Sequence, residues 1–145
     1  ASFGVGEKGR VVGVESSPLI AAVTGHGLQH FLPGNYPLYG AMRRIEVVNM
    51  DYLDYLRQQP DNAYDVVYFD PMFRKPLTAS NGISPLRSVA NHAALSVEAV
   101  EEAKRVARSR VVMKEANGSE EFGRLGFKKI MGGKYSKVHY GVMDL

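Results

Sequence analysis

Four consecutive residues, Asp70-Pro71-Met72-Phe73, combine a carboxylate, a rigid turn and an aromatic ring. A carboxylate accepts hydrogen bonds from an amine, and a ring can stack on a flat group. Together they could clamp a planar, hydrogen-bonding substrate. The plain alternative is an Asp-Pro turn that only ends a strand. Two other carboxylates stand in comparable places: Glu15 ends Arg10-Val11-Val12-Gly13-Val14-Glu15, and Asp51 closely follows Ile45-Glu46-Val47-Val48-Asn49. A carboxylate at the tip of a parallel strand can hold a ribose diol, because it accepts two hydroxyl hydrogen bonds. The alternative for Glu15 is a solvated strand end. Asp51 could meet an adenine amino group or serve as a helix N-cap.

These side chains need strands to carry them. Val66 to Asp70 is rich in β-branched and aromatic residues and reads as a short buried strand. Pro71 cannot donate to a ladder and biases Asp70 toward an extended conformation. Asp70 is therefore expected at the carboxyl end of a strand, where open α/β sheets bind ligands. Upstream, Ala1 to Phe3 read as a helix end with Gly4 as its C-cap. Gly4-Val5-Gly6-Glu7-Lys8-Gly9 matches the dinucleotide pattern G-x-G-x-x-G. That fingerprint needs a strand before it and a helix after it. A strand follows at once, so the stretch reads as a helix-to-strand loop.

Ser16 and Ser17 can cap a helix, and Pro18 suits its first turn. The helix is expected from Leu19 to about Phe31, interrupted by Gly25 and Gly27. A turn at 33–37, a short helix over Leu38–Arg44, the strand Ile45–Asn49 and a short helix over Met50–Leu56 follow. Ser96 caps the clearest helix. Glu98, Glu101 and Glu102 lie at its start and Lys104, Arg105 and Arg108 at its end, as the helix dipole favours. Its expected apolar face is Val97, Val100, Ala103 and Val106 or Ala107. Arg110–Lys114 is the next buried strand, and Ser119–Leu125 a short helix closed by Gly126. Phe127–Met131 and Val138–Met143 form an antiparallel pair. The alternation predicts an α/β fold with a mostly parallel sheet and an antiparallel C-terminal edge. It gathers Glu15, Asp51 and Asp70 along one edge.

At 145 residues the chain is expected to be one domain. Lys and Arg outnumber Asp and Glu by 18 to 15, a mild basic bias compatible with a polyanionic partner. Without cysteine there is no disulfide framework, thiolate zinc site or cysteine nucleophile, and no metal site is expected. No apolar run approaches the roughly 18 residues of a membrane span, and a cytoplasmic location is expected. The stretch from Arg74 to His92 is long and basic, with Arg74, Lys75 and Arg87, and hangs directly off the candidate site. Such residues suit a phosphate backbone. A short helix is expected over 84–90, and a solvated surface loop is the alternative to a phosphate-binding role.

Val-Glu-Ser-Ser-Pro at 14–18, Asn-Met-Asp at 49–51 and Asp-Pro-Met-Phe at 70–73 match, in order, successive motifs of the class I S-adenosylmethionine-dependent methyltransferases. The chain resembles this family over nearly its whole length. The resemblance implies a Rossmann-like methyltransferase fold and S-adenosylmethionine as cofactor. Asp-Pro-Met-Phe, the basic residues behind it and Arg-Val-Val-Met-Lys at 110–114 narrow the match. They resemble the Gram-positive branch of the RsmJ-like family, whose founding members methylate the exocyclic N2 of a guanine in small-subunit ribosomal RNA.

The resemblance implies that Glu15 holds the ribose, with Ser16 beside it, and Asp51 the adenine, with Tyr52 beside it. Asp70 would accept a hydrogen bond from the target amine and orient it toward the methyl donor. Pro71 and Met72 would shape the turn and Phe73 would stack on the base. Arg74, Lys75, Arg87, Lys134 and Lys137 would meet ribosomal RNA. Related aminomethyltransferases carry a second proline where Met72 stands and usually tyrosine where Phe73 stands. Loss of that hydroxyl leaves stacking intact and removes one polar contact.

The family's first strand and glycine-rich methionine-binding loop belong before Ala1. The expectation is a sheet with a gap, a longer native protein, and weak cofactor binding by this chain alone. Two other functions fit less well. A non-catalytic nucleic-acid-binding module is favoured by the missing loop but opposed by Glu15 and the Asp70–Phe73 motif. A small-molecule methyltransferase is opposed by the basic residues at 74–87, 134 and 137. The oligomeric state is not legible.

Overall fold

A computed structural model describes residues 1–32, 34, 36–71 and 93–145. The expectations for Met72, Phe73, Arg74, Lys75, Arg87 and a helix over 84–90 lie outside the described residues, as do those for Pro33 and Asn35. The chain divides into two compact units, one built on residues 1–52 and one on the described residues from Leu53 onward.

The first unit contains α1 (Ser2–Val5), β1 (Val11–Glu15), α2 (Pro18–His30), α3 (Tyr36–Arg43) and β2 (Ile45–Asn49). β1 and β2 pair in parallel, from Val11 opposite Ile45 to Glu15 opposite Asn49. The glycine-rich stretch joins α1 to β1 as expected. Its cap is Gly6, not Gly4, because α1 extends to Val5, and Gly6 takes a positive φ of +74 that glycine adopts without strain. Ser17 caps α2 by accepting from the Ile20 N–H at 3.5 Å, and Pro18 opens the helix. α2 runs unbroken through Gly25 and Gly27, contrary to the interruption expected there. Its packing on β2 and α3 outweighs the weak helix propensity of glycine. Arg43 donates to the Leu28 and Phe31 carbonyl oxygens at the end of α2 and lies 4.0 Å from the Tyr39 ring centre. It thereby satisfies carbonyls that the helix leaves without partners.

The second unit contains α4 (Tyr52–Gln58, its first residue belonging to the first unit), β3 (Tyr64–Phe69), α5 (Val97–Val106), β4 (Ala107–Ala116), α6 (Glu121–Arg124), β5 (Lys129–Met131) and β6 (Val138–Asp144). Its sheet has the order β3-β4-β6-β5. β3 and β4 are parallel, whereas β6 is antiparallel to both β4 and β5. The antiparallel C-terminal edge is thus present. The strands expected in one sheet form two ladders, and β1 and β3 do not pair.

Side-chain alternation gives the second sheet two unlike faces. Phe69, Val111, Met113 and Gly141 share the buried face. α5 packs on β4 and buries Ala99, Val100, Ala103 and Val106. Phe122 and Phe127 are buried as well. Val97, expected on that helix face, is 53% exposed, because it occupies the first helical position, a turn outside the buried stripe. The other face carries Val66, Tyr68, Arg110, Val112, Lys114 and Tyr140. Val66 and Tyr68 are about half exposed, so β3 is covered on one face only by the described residues, not buried throughout as its composition suggests. Arg105 ties α5 to α4 by donating to the Leu56 and Gln59 carbonyls and to Asp61 and Glu102. Among the described residues no helix is long and apolar enough to cross a membrane.

Candidate active site

In the first unit, the parallel register brings the carboxyl ends of β1 and β2 together. The Asn49 side chain donates to the Glu15 carbonyl at 2.8 Å and to the Ser16 carbonyl at 3.2 Å, and the Met50 N–H donates to the Glu15 carbonyl at 3.1 Å. These bonds staple the two strand ends. Glu15 and Asp51 therefore lie on adjacent connections at one sheet edge, with Ser16 and Tyr52 next to them in the chain. One Glu15 carboxylate oxygen accepts from the Ser17 N–H at 2.7 Å, which folds the side chain back over the start of α2. A carboxylate has four acceptor positions, so this contact leaves capacity for hydroxyl donors.

In the second unit, β3 ends at Phe69, and Asp70-Pro71 follows at the carboxyl edge of the sheet, as the proline requires. Phe69 is paired with Met113, so the next residues along, Asp70 and Lys114, come side by side. The Lys114 ammonium donates to both Asp70 oxygens at 2.9 Å. The Asp70 side chain is 48% exposed and that of Lys114 27%. Tyr68 lies two residues before Asp70 on the same face, and Tyr140 is paired with Lys114 from the other side. Burial pushes the Tyr68 phenol up to about 12, and the nearby Asp70 carboxylate and Tyr140 phenol reinforce this. Tyr68 stays neutral at ordinary pH even though half its surface is open.

Lys134 and Lys137 stand in the turn between β5 and β6, both exposed. The Asn117 N–H donates to the Lys137 carbonyl at 3.0 Å, tying that turn to the carboxyl end of β4. The two lysines are thus at the same end of the second sheet as Asp70. Met72, Phe73, Arg74, Lys75 and Arg87 are outside the described residues. Sequence reasoning singled out Asp70 but gave no individual role to Lys114, Tyr68 or Tyr140. Lys114 had a signal: a cation ends the apolar run Val111-Val112-Met113, where a strand would be expected to stay apolar. Its pairing with Asp70 needed the strand register.

Residues 1–137 match the model of a family described as "Putative SAM-dependent methyltransferase". An uncharacterised protein of Bacillus subtilis, YpiP, is 45% identical over 144 residues, which cover 99% of this chain and 56% of the relative. The chain thus spans about half the length of that curated relative. Two solved structures are similar at low identity. A putative methylase from Haemophilus influenzae is 18% identical with a TM-score of 0.46, over 93% of this chain and 71% of that one. A putative methyltransferase from Escherichia coli is 14% identical with a TM-score of 0.46, over 93% and 62%. The assignment rests on the family model, which covers nearly the whole sequence from its first residue. On that match, the chain belongs to the family of putative S-adenosylmethionine-dependent methyltransferases.

Proposed function

We propose that the protein transfers a methyl group from S-adenosylmethionine to an exocyclic amine of a nucleic-acid base, and that the amine is N2 of a guanine in ribosomal RNA. The observation that carries the reading is the Asp70 carboxylate, half exposed at the tip of β3 and fixed by Lys114. The RsmJ-like form of the motif at 70–73 supports the choice of guanine. The basic side chains of Lys134 and Lys137 at the same sheet end support an RNA partner, as do Arg74, Lys75 and Arg87 in the sequence.

The acceptors of the first unit fit the cofactor's polar groups. S-Adenosylmethionine presents a ribose diol and an adenine amino group, both donors. Glu15 and Asp51 are carboxylates on adjoining connections at one sheet edge. On this reading Glu15, with Ser16, holds the diol, and Asp51, with Tyr52, holds the base. When bound, the cofactor would supply a methyl group that a neutral nitrogen takes by direct displacement, the N–C bond forming as the S–C bond breaks and S-adenosylhomocysteine leaving.

Asp70 accepts an in-plane N–H of the target amine and so fixes the base, leaving the nitrogen lone pair, which is perpendicular to the base plane, open to alkylation. The same carboxylate stabilises the positive charge that develops on the nitrogen as it is alkylated, and the nitrogen then returns a proton to solvent. Positioning supplies most of the acceleration, since no covalent intermediate on the protein is involved. An unpaired base can reach the exposed Asp70 carboxylate by flipping out of its stack. Incubating the full-length protein with labelled S-adenosylmethionine and ribosomal RNA tests the reading. Label is expected in N2-methylguanosine; bound cofactor with no labelled nucleoside would overturn the RNA substrate.

A further inference from the structure

The Asp70–Lys114 pair holds more information than a single acceptor. Lys114 donates to both carboxylate oxygens at 2.9 Å, so the ammonium fills the fork of the carboxylate. That fork is the position two parallel N–H groups would take. The pair lies on the open face of the sheet, flanked by Tyr68 and Tyr140, which are 50% and 41% exposed. Elsewhere on this face, Asp144 is held by Arg110 at 2.7 Å and Lys129 at 2.9 Å. That cluster is on the opposite sheet end and ties three strands together. The Asp70–Lys114 pair instead sits at the carboxyl end of β3, where Pro71 stops the ladder.

From the protein outward, the pair offers two acceptors and then a cationic donor. The Watson–Crick edge of guanine offers the complement: the amine N–H, the ring N1–H and the O6 carbonyl. Adenine offers a donor and then an acceptor with no carbonyl. Cytosine offers a donor followed by two acceptors. Only guanine can place two N–H groups in the carboxylate fork and a carbonyl next to them.

We propose that Lys114 is a specificity-determining residue that reads O6 of the target guanine; this rests on the reading that the methyl acceptor is the guanine amine. In the free site the ammonium occupies the Asp70 fork. As the base enters, N2–H and N1–H take the fork. The ammonium moves to the outer side of the carboxylate and donates to O6. Lysine suits this exchange, because its flexible stem carries three rotatable donors. Asp70 keeps a cationic neighbour throughout, and the edge is checked at three points before transfer.

The test uses the full-length protein and two short RNAs spanning the modified position, one with guanine there and one with 6-thioguanine. The second keeps the amine and N1–H but replaces the carbonyl oxygen by sulfur, a weak acceptor. The wild-type protein is expected to favour guanine in kcat/KM by about tenfold or more, the value of a hydrogen bond to a charged donor. Lys114→Met should slow transfer to both RNAs, because Asp70 loses the ammonium that fixes it, but should slow transfer to guanine about tenfold more, so that the preference over 6-thioguanine disappears. Lys114→Arg should retain part of the preference. Binding of S-adenosylmethionine should be the same in all three proteins, and Lys129→Met, which breaks only the distant pair with Asp144, should behave as wild type. Equal loss on both RNAs in Lys114→Met, or no loss on either, would overturn the inference while leaving the methyltransferase reading intact. Failure of the wild-type protein to modify either RNA would overturn that reading, and the inference with it.

Discussion

The Lys114 ammonium and the Asp70 carboxylate meet across the β3–β4 pair, with Nζ 2.9 Å from each carboxylate oxygen. A partly exposed ion pair of this kind contributes only about 0–1 kcal/mol to folding. Its position carries more weight than its energy. It sits where a strand ends at a proline and where open sheets bind ligands.

Asp70→Ala is therefore expected to separate activity from stability. Methyl transfer should fall by about 10²-fold or more, as for removal of a preorganised electrostatic partner. The thermal midpoint should hardly change. Circular dichroism melts beside a transfer assay check this. Near-normal turnover in the variant would remove Asp70 from the mechanism.

Glu15 has two tasks on the proposed reading, and they can be split. Glu15→Gln keeps an oxygen for the Ser17 N–H, now at 2.7 Å, but loses the charge that favours two ribose hydroxyls. Titration calorimetry should show about tenfold weaker binding of S-adenosylmethionine, with the melting curve of the protein preserved. Unchanged affinity would take the ribose from Glu15.

Gly141 is set into the buried face of the second sheet. A Cβ there would stand 2.7 Å from Phe122 and 2.8 Å from Phe127. Gly141→Ala should destabilise the protein by about 1–3 kcal/mol through overpacking. Gly123, in α6, has nothing within 4 Å of a built Cβ. Gly123→Ala should be neutral or stabilising by up to about 1 kcal/mol. Denaturant unfolding of the two variants gives the comparison.

Two groups are shifted at opposite ends of the pH scale. The Tyr68 phenol is raised from 10.0 to about 12, by burial first and then by Asp70 and Tyr140. Its contribution to stability is complete below 10.0 and is lost as pH rises through about 12. In a tyrosinate absorbance titration, Tyr68→Phe should abolish a late step.

Asp144 is held below its ordinary 3.8 by the hydrogen bonds from Lys129 and then Arg110. Its contribution is present above 3.8 and is lost as pH falls through the lowered value. Asp144→Asn should make acid unfolding less steep in that range.

Much of this architecture was legible because local signals agreed. Ser17-Pro18 and Ser96 marked helix starts, Pro71 marked the end of β3, and Ile45–Asn49 was correct to the residue. The departures came from packing that a local pattern does not contain. α2 passes through two glycines because β2 and α3 support it, and Val97 has the right spacing for the core but stands at the exposed start of its helix. β3 looked buried because Val66 and Tyr68 are apolar, yet both lie on the open face. Asp70 could be found from the proline beside it. Lys114 is 44 residues away, and only the parallel register of β3 and β4 brings it to the carboxylate.

The most direct measurement is the nucleoside content of small-subunit ribosomal RNA from cells with and without the gene, digested and identified by mass. The account predicts that one N2-methylguanosine disappears without the gene, and that the wild-type gene restores it but the Asp70→Ala form does not. An unchanged N2-methylguanosine content, with the protein produced and binding S-adenosylmethionine, would contradict the proposed substrate.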